Sequence, residues 1–68
     1  MVAEARAFAA VRKGENGTEA ILMSEVFSLI SSVKAKVREN DKESPHFAKI
    51  HPVLRIVSVK IIEQEEVK

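Results

Sequence analysis

The run Val53-Leu54-Arg55-Ile56-Val57-Ser58-Val59-Lys60-Ile61-Ile62 constrains the fold of this chain more than any other segment. Its β-branched side chains favour a strand. Successive side chains in a strand point to opposite sides. Val53, Val57, Val59 and Ile61 therefore share one face, while Leu54, Ile56 and Ile62 share the other around Ser58 and Lys60. Both faces are apolar, and both need cover. A chain of 68 residues has little material with which to cover two faces, since a domain of this size buries only about 60% of the surface its unfolded chain exposes. The strand therefore points to a surface shared with another copy or another protein.

The rest of the composition supports that expectation. There is no cysteine, so disulfides cannot supply the extra stability that small scaffolds need, and association becomes the leading alternative. Absence of cysteine also fits a reducing compartment. The start, Met1-Val2-Ala3-Glu4-Ala5-Arg6, carries an early acid, and the apolar stretch Ala7 to Val11 is too short for a signal-peptide core or a membrane span. These features lead us to expect a cytoplasmic protein. A formal net charge of +1 gives no general attraction to nucleic acid or to a membrane surface.

Residues 5 to 12 alternate Arg6, Phe8 and Arg12 with Ala7, Ala9 and Val11, and are read as a first strand. Lys13-Gly14-Glu15-Asn16-Gly17-Thr18 then supplies residue types that accept positive φ in a reversing loop, and Ala20 to Met23 is the returning strand. Leu29, Ile30, Val33 and Val37 gather on one side of a helix that Ser28 or Ser24 would cap and that Asn40-Asp41 and Ser44-Pro45 would stop. Leu22 and Val26 continue the same stripe backwards, so a helix beginning near Thr18 competes with the second strand. The hairpin is preferred because a sheet of two strands is weak. Residues 40 to 52 form a polar connection that Phe47 and Ile50 pin to the core. The acidic end, residues 64 to 68, is a frayed tail.

These elements make a single domain over residues 1 to 68, of α+β class with order β-β-α-β. A right-handed crossover places the third strand beside the first, giving a three-stranded sheet in the order 2-1-3 with one helix on one face. Small Ala7, Ala9 and Ala10 on the central strand would let that helix approach closely.

No residue pattern points to catalysis. His46 and His51, with Asp41 and Glu43 nearby, sit in a proline-containing loop whose spacing fixes no shared face, so surface or loop packing is preferred to metal binding. The serines include no Gly-x-Ser-x-Gly arrangement, and the glycines at 14 and 17 lack the lysine and hydroxyl of a phosphate-binding loop. No catalytic residue, cofactor or metal ligand is therefore assigned, and the chain is expected not to be an enzyme. The alternative function is nucleic-acid binding, with Lys34, Lys36 and Arg38 on the helix and Arg6, Arg12 and Lys13 on a basic edge neutralising phosphates.

Arg6-Ala7-Phe8-Ala9-Ala10-Val11, a glycine-containing turn, a short helix, Phe47 and the closing Leu54-Arg55-Ile56-Val57-Ser58-Val59-Lys60-Ile61 resemble small α+β proteins encoded by bacteriophages and prophages. That resemblance rests on hydrophobic pattern over most of the chain. It implies a phage or bacterial cytoplasmic origin and carries over no functional residue. The leading functional expectation comes from the residues themselves. It is a protein-interaction module, forming a homodimer or docking on another protein through Val57, Val59 and Ile61, through Leu54, Ile56 and Ile62, or by an edge strand.

Overall fold

A hairpin, two helices and a returning strand make up the computed structural model, which describes residues 2 to 67. Strand β1 (Glu4–Lys13) leads through one turn at Glu15–Gly17 into β2 (Glu19–Phe27). Helix α1 (Ile30–Glu43), helix α2 (Pro45–Ile50) and strand β3 (Val53–Ile62) follow. The sheet has the order β2-β1-β3, and both pairings are antiparallel. Class, strand count and strand order agree with the sequence reading.

The reversing loop works as its composition requires. Asn16 (φ 55°) and Gly17 (φ 80°) both take positive φ, and the Thr18 amide donates to the Glu15 carbonyl at 3.0 Å. Positive φ at both central residues is what a tight hairpin turn matching the strand twist demands.

Four local expectations need correction. The second strand is longer than 20 to 23: it runs to Phe27, which pairs with Phe8, so Leu22 and Val26 belong to a strand and not to a helix. Neither Ser24 nor Ser28 caps α1; Leu29 occupies the N-cap position with no side-chain bond, and Ser24 lies inside β2. The connection at 40 to 52 is not an extended loop, because α1 continues to Glu43 and Pro45 starts α2. Proline suits a first helical turn, where its missing N–H has no partner to lose. Phe47 is half-buried as expected, whereas Ile50 is exposed and pins nothing.

Strand registers define the two faces. Ala5, Ala7, Ala9 and Val11 of β1 lie opposite Ile61, Val59, Val57 and Arg55 of β3, and Val26 and Ile21 of β2 extend this row. The other face carries Phe8, Ala10 and Arg12, flanked by Phe27 on one side and by Ile56, Ser58 and Lys60 on the other. Arg12 bonds to Asp41 of α1 and stacks on Phe47 of α2, which places both helices on this second face. Only Ala10 of the three alanines therefore lies under the helices. Ala7 and Ala9 are buried on the opposite face, Ala9 between Val26 and Val57 and Ala7 beside Val59.

A bulge also changes the face of one predicted residue. Between the Val11–Arg55 and Arg12–Val53 pairs, Leu54 is an extra residue on β3. Strict alternation would group Val53 with Val57, but the inserted residue moves Val53 to the face of Arg12.

Helix α1 packs on β1 and β2 and scarcely on β3. The buried core, Ala7, Ala9, Ala10, Val11 and Val33, is correspondingly small and centred on β1.

Candidate functional site

The most apolar strand in the sequence is the least covered in the fold. On the face without helices, Val57 and Val59 are half-buried against β1 while Ile61 is 51% exposed. On the helix face, α1 stops short of β3, leaving Leu54 and Ile62 exposed and Ile56 half-buried. β3 also borders the sheet, so its outer backbone edge faces no strand among the described residues. The interaction residues named from the sequence thus lie on one strand, divided between its two faces.

The two cations of β3 point back over the domain. Arg55 Nη1 and Nη2 donate to Glu19 Oε2 and Oε1 at 3.0 and 2.6 Å, reaching across β1 to β2. These bonds hold the Glu19 carboxyl below its ordinary range and raise Arg55 further. Lys60 Nζ lies 3.1 Å from Glu4 Oε2 of β1. Beside the Arg55–Glu19 pair, Val11, Ala20, Ile21 and Val57 line an open hollow of about 430 Å³.

Arg12 contrasts with every other cation among the described residues. It is 2% exposed, and its Nε and Nη2 donate to Glu25 Oε1 and Oε2 at 2.9 and 2.6 Å. Nη2 also reaches Asp41 Oδ1 at 3.0 Å, and Nη1 donates to the His51 carbonyl at 2.9 Å. Its guanidinium lies 5.4 Å from the Phe47 ring centre, within cation–π range. Glu25, fully buried, accepts a third bond from Asn40 Nδ2 at 3.0 Å. The guanidinium bonds hold the Glu25 carboxyl below its usual range, against a smaller opposing effect of burial. A charge taken from water survives only where paired and bonded in this way. The network ties β1 to β2, to α1 and to the end of α2.

That placement corrects one sequence expectation. The sequence sets Arg12 with Lys34, Lys36, Arg38 and Lys13 as phosphate-neutralising cations, but protein acceptors occupy its donors and it is buried. Lys34, Arg38 and Lys13 remain exposed, and Lys36 is half-buried beside Glu39 at 3.4 Å. Sequence reasoning missed the buried network because its members are 13 to 39 positions apart. One signal was present: Glu25 is the sole charge among Leu22, Met23, Val26 and Phe27.

The two histidines are not brought together with acids. His51 stacks on Phe47 with ring centres 4.9 Å apart, and its Nδ1 lies 2.9 Å from the Lys13 carbonyl oxygen, which is a packing role. His46 is exposed. Among the described residues no group of three or more metal-ligating side chains forms, and no helix is long and apolar enough to cross a membrane. Residues 64 to 67 of the expected tail are exposed and carry no regular structure. Met1 and Lys68, which belong to the leader and tail readings, lie outside the described residues. No protein-family model, curated protein or solved structure matches the chain.

Proposed function

We propose that this protein is a non-enzymatic interaction module that associates with a second copy of itself through β3. The observation that carries the reading is the open position of β3: its outer edge faces no strand among the described residues and its two faces are only partly covered, although it is the most apolar segment of the sequence. Val57 and Val59 are already half-buried and Ile61 is half exposed, so covering what remains of the three contributes on the order of 2 to 3 kcal/mol before association costs are deducted, and the free backbone edge adds its own hydrogen bonds. A second copy is the economical partner, because the same uncovered strand is present on both sides of a two-fold contact.

Light scattering over a range of protein concentrations tests the proposal. The expected mass is that of a dimer, and it holds or increases as salt rises, because apolar burial strengthens in salt whereas phosphate-type contacts weaken. Val59→Asp places a charge on the open face and is expected to give a folded monomer. A wild-type chain that stays monomeric at high concentration removes the reading.

A further inference from the structure

We infer that two copies join edge to edge along β3, antiparallel and with Val59 opposite its own counterpart, making one continuous six-stranded sheet. This geometry rests on the self-association proposed above and specifies the surface it uses.

The backbone phase of β3 is set by its pairing with β1. The Glu63 amide donates to the Ala3 carbonyl at 2.9 Å, and the register continues without interruption from Glu4–Ile62 to Val11–Arg55. In an antiparallel ladder, residues alternate between those that bond to the neighbour and those whose N–H and C=O point away. Ile61, Val59 and Val57 therefore bond to β1, whereas Ile56, Ser58, Lys60 and Ile62 present their backbone groups to the free edge. Such a row is a template for another strand.

The usual guards of an edge are few here. Protected edges carry proline, free charges or a bulge. Within Val53–Ile62 there is no proline, and the one bulge lies near the start, at Leu54. The strand's only charges, Arg55 and Lys60, are paired with Glu19 and Glu4 over the domain's own sheet. By contrast β2, the other border, is broken where Leu22, Met23, Ser24 and Glu25 stand against Ala10 alone.

Register follows from what each alignment sets face to face. A two-fold axis perpendicular to the sheet pairs residues of the same face. With the axis at Val59, all the outward residues find partners: Ile56 with Ile62 and Ser58 with Lys60, in both directions. On the face without helices, Val59 meets Val59 and Val57 meets Ile61. Arg55, held by Glu19 of its own sheet, comes opposite Glu63, so no like charges confront each other. With the axis at Lys60, two lysines confront each other. With the axis at Ser58, Ile62 falls against the Leu54 bulge and Lys60 against Ile56. The Val59 register alone combines apolar pairs, freedom from like-charge pairs and full use of the outward backbone.

Cysteine cross-linking and a backbone block test the inference together, in a chain that has no native cysteine. Residues directly opposite in a non-hydrogen-bonded pair have Cα atoms about 4.5 Å apart, within disulfide reach. Under mild oxidation Val59→Cys is expected to become a covalent dimer, while Val57→Cys, whose counterpart lies several residues along the strand, stays uncross-linked. Ser58→Pro removes an outward N–H and leaves the bonds to β1 intact, so it is expected to halve the solution mass with an unchanged circular dichroism spectrum. A wild-type dimer in which Val57→Cys cross-links as readily as Val59→Cys overturns the edge geometry while self-association stands, and so does a folded Ser58→Pro that remains dimeric. A wild-type monomer removes both. If Ser58→Pro does not fold, the cysteine pair still decides.

Discussion

β2 and β3 flank the same central strand, yet the fold treats them oppositely. β2 is bulged, carries the buried Glu25 and lies under α1. β3 is in unbroken register from Arg55 to Ile62, pairs among the described residues with β1 alone and has little helix above it. The strand with the buried acid is locked into the domain by an ion-pair network, and the still more apolar strand is left at the open border. Hydrophobicity alone does not decide which strand a small domain buries. The helix covers the strand it emerges from, and the bonds of Arg12 to Asp41 and of Glu25 to Asn40 fix it there, so β3 keeps its outer edge and part of both faces exposed.

The contrast can be broken at its strongest point first. Arg12→Ala leaves Glu25 buried without its main partner, and loss of one member of such a pair costs about 3 to 5 kcal/mol, which is most of the stability of a domain this small. Thermal melting is expected to show a chain unfolded or barely folded. Arg12→Met combined with Glu25→Leu removes both charges and is expected to recover much of the loss, which separates ion-pair breakage from a general intolerance of change at these sites.

Acid probes the same network without mutation. The folded Glu25 carboxyl titrates below its unfolded value. Its contribution is therefore fully present above the unfolded carboxylate pKa and is lost as pH falls through the folded one. Melting temperature should hold from neutral pH down to the ordinary carboxylate range and decline below it. Glu25→Gln is expected to start less stable and to show a shallower decline; equal slopes in the two proteins would mean that other carboxylates control acid unfolding.

Two matched substitutions then sharpen the comparison on the face without helices, where Ile61 of β3 and Ile21 of β2 are exposed to similar extents. Ile61→Lys is expected to reduce the solution mass with little change in monomer folding. Ile21→Lys should leave the mass unchanged and alter stability by no more than about 0.5 kcal/mol, the usual range for exposed sites. Equal effects on mass would mean that the whole face associates and not the β3 side alone.

The smallest effect belongs to the hairpin that sets β2 beside β1. Gly17 has φ 80°, so Gly17→Ala is expected to cost about 1 kcal/mol through strain at positive φ. Chemical denaturation should show this at an unchanged m-value, with solution mass unaffected.

Much of the architecture was legible because its signals are local. The β-branched run at 53 to 62 matches β3 end to end, and the Asn16-Gly17 pair announces the reversal. The extent of β2 was harder to read, since Leu22 and Val26 fit a helical stripe as well as a bulged strand; pairing with β1 settles that choice. Helix α2 was hidden by polar residues and by a proline that reads equally as a helix stop and as a helix start. The candidate surface was legible as a list of residues but not as a site: Val57, Val59 and Ile61 separate from Ile56 and Ile62 by alternation, whereas Val53 changes sides through a single inserted residue.

By itself, then, the amino-acid order determined the strand and helix segments, the hairpin and the excess of apolar surface on β3, because backbone preference and side-chain periodicity act over a few residues. Only tertiary structure decided that Arg12 is a buried tie and not a surface cation, and that α1 shelters β2 instead of β3. Those outcomes depend on groups far apart in the chain meeting at hydrogen-bond distance, where the balance between desolvation and pairing is set by geometry that no local pattern encodes.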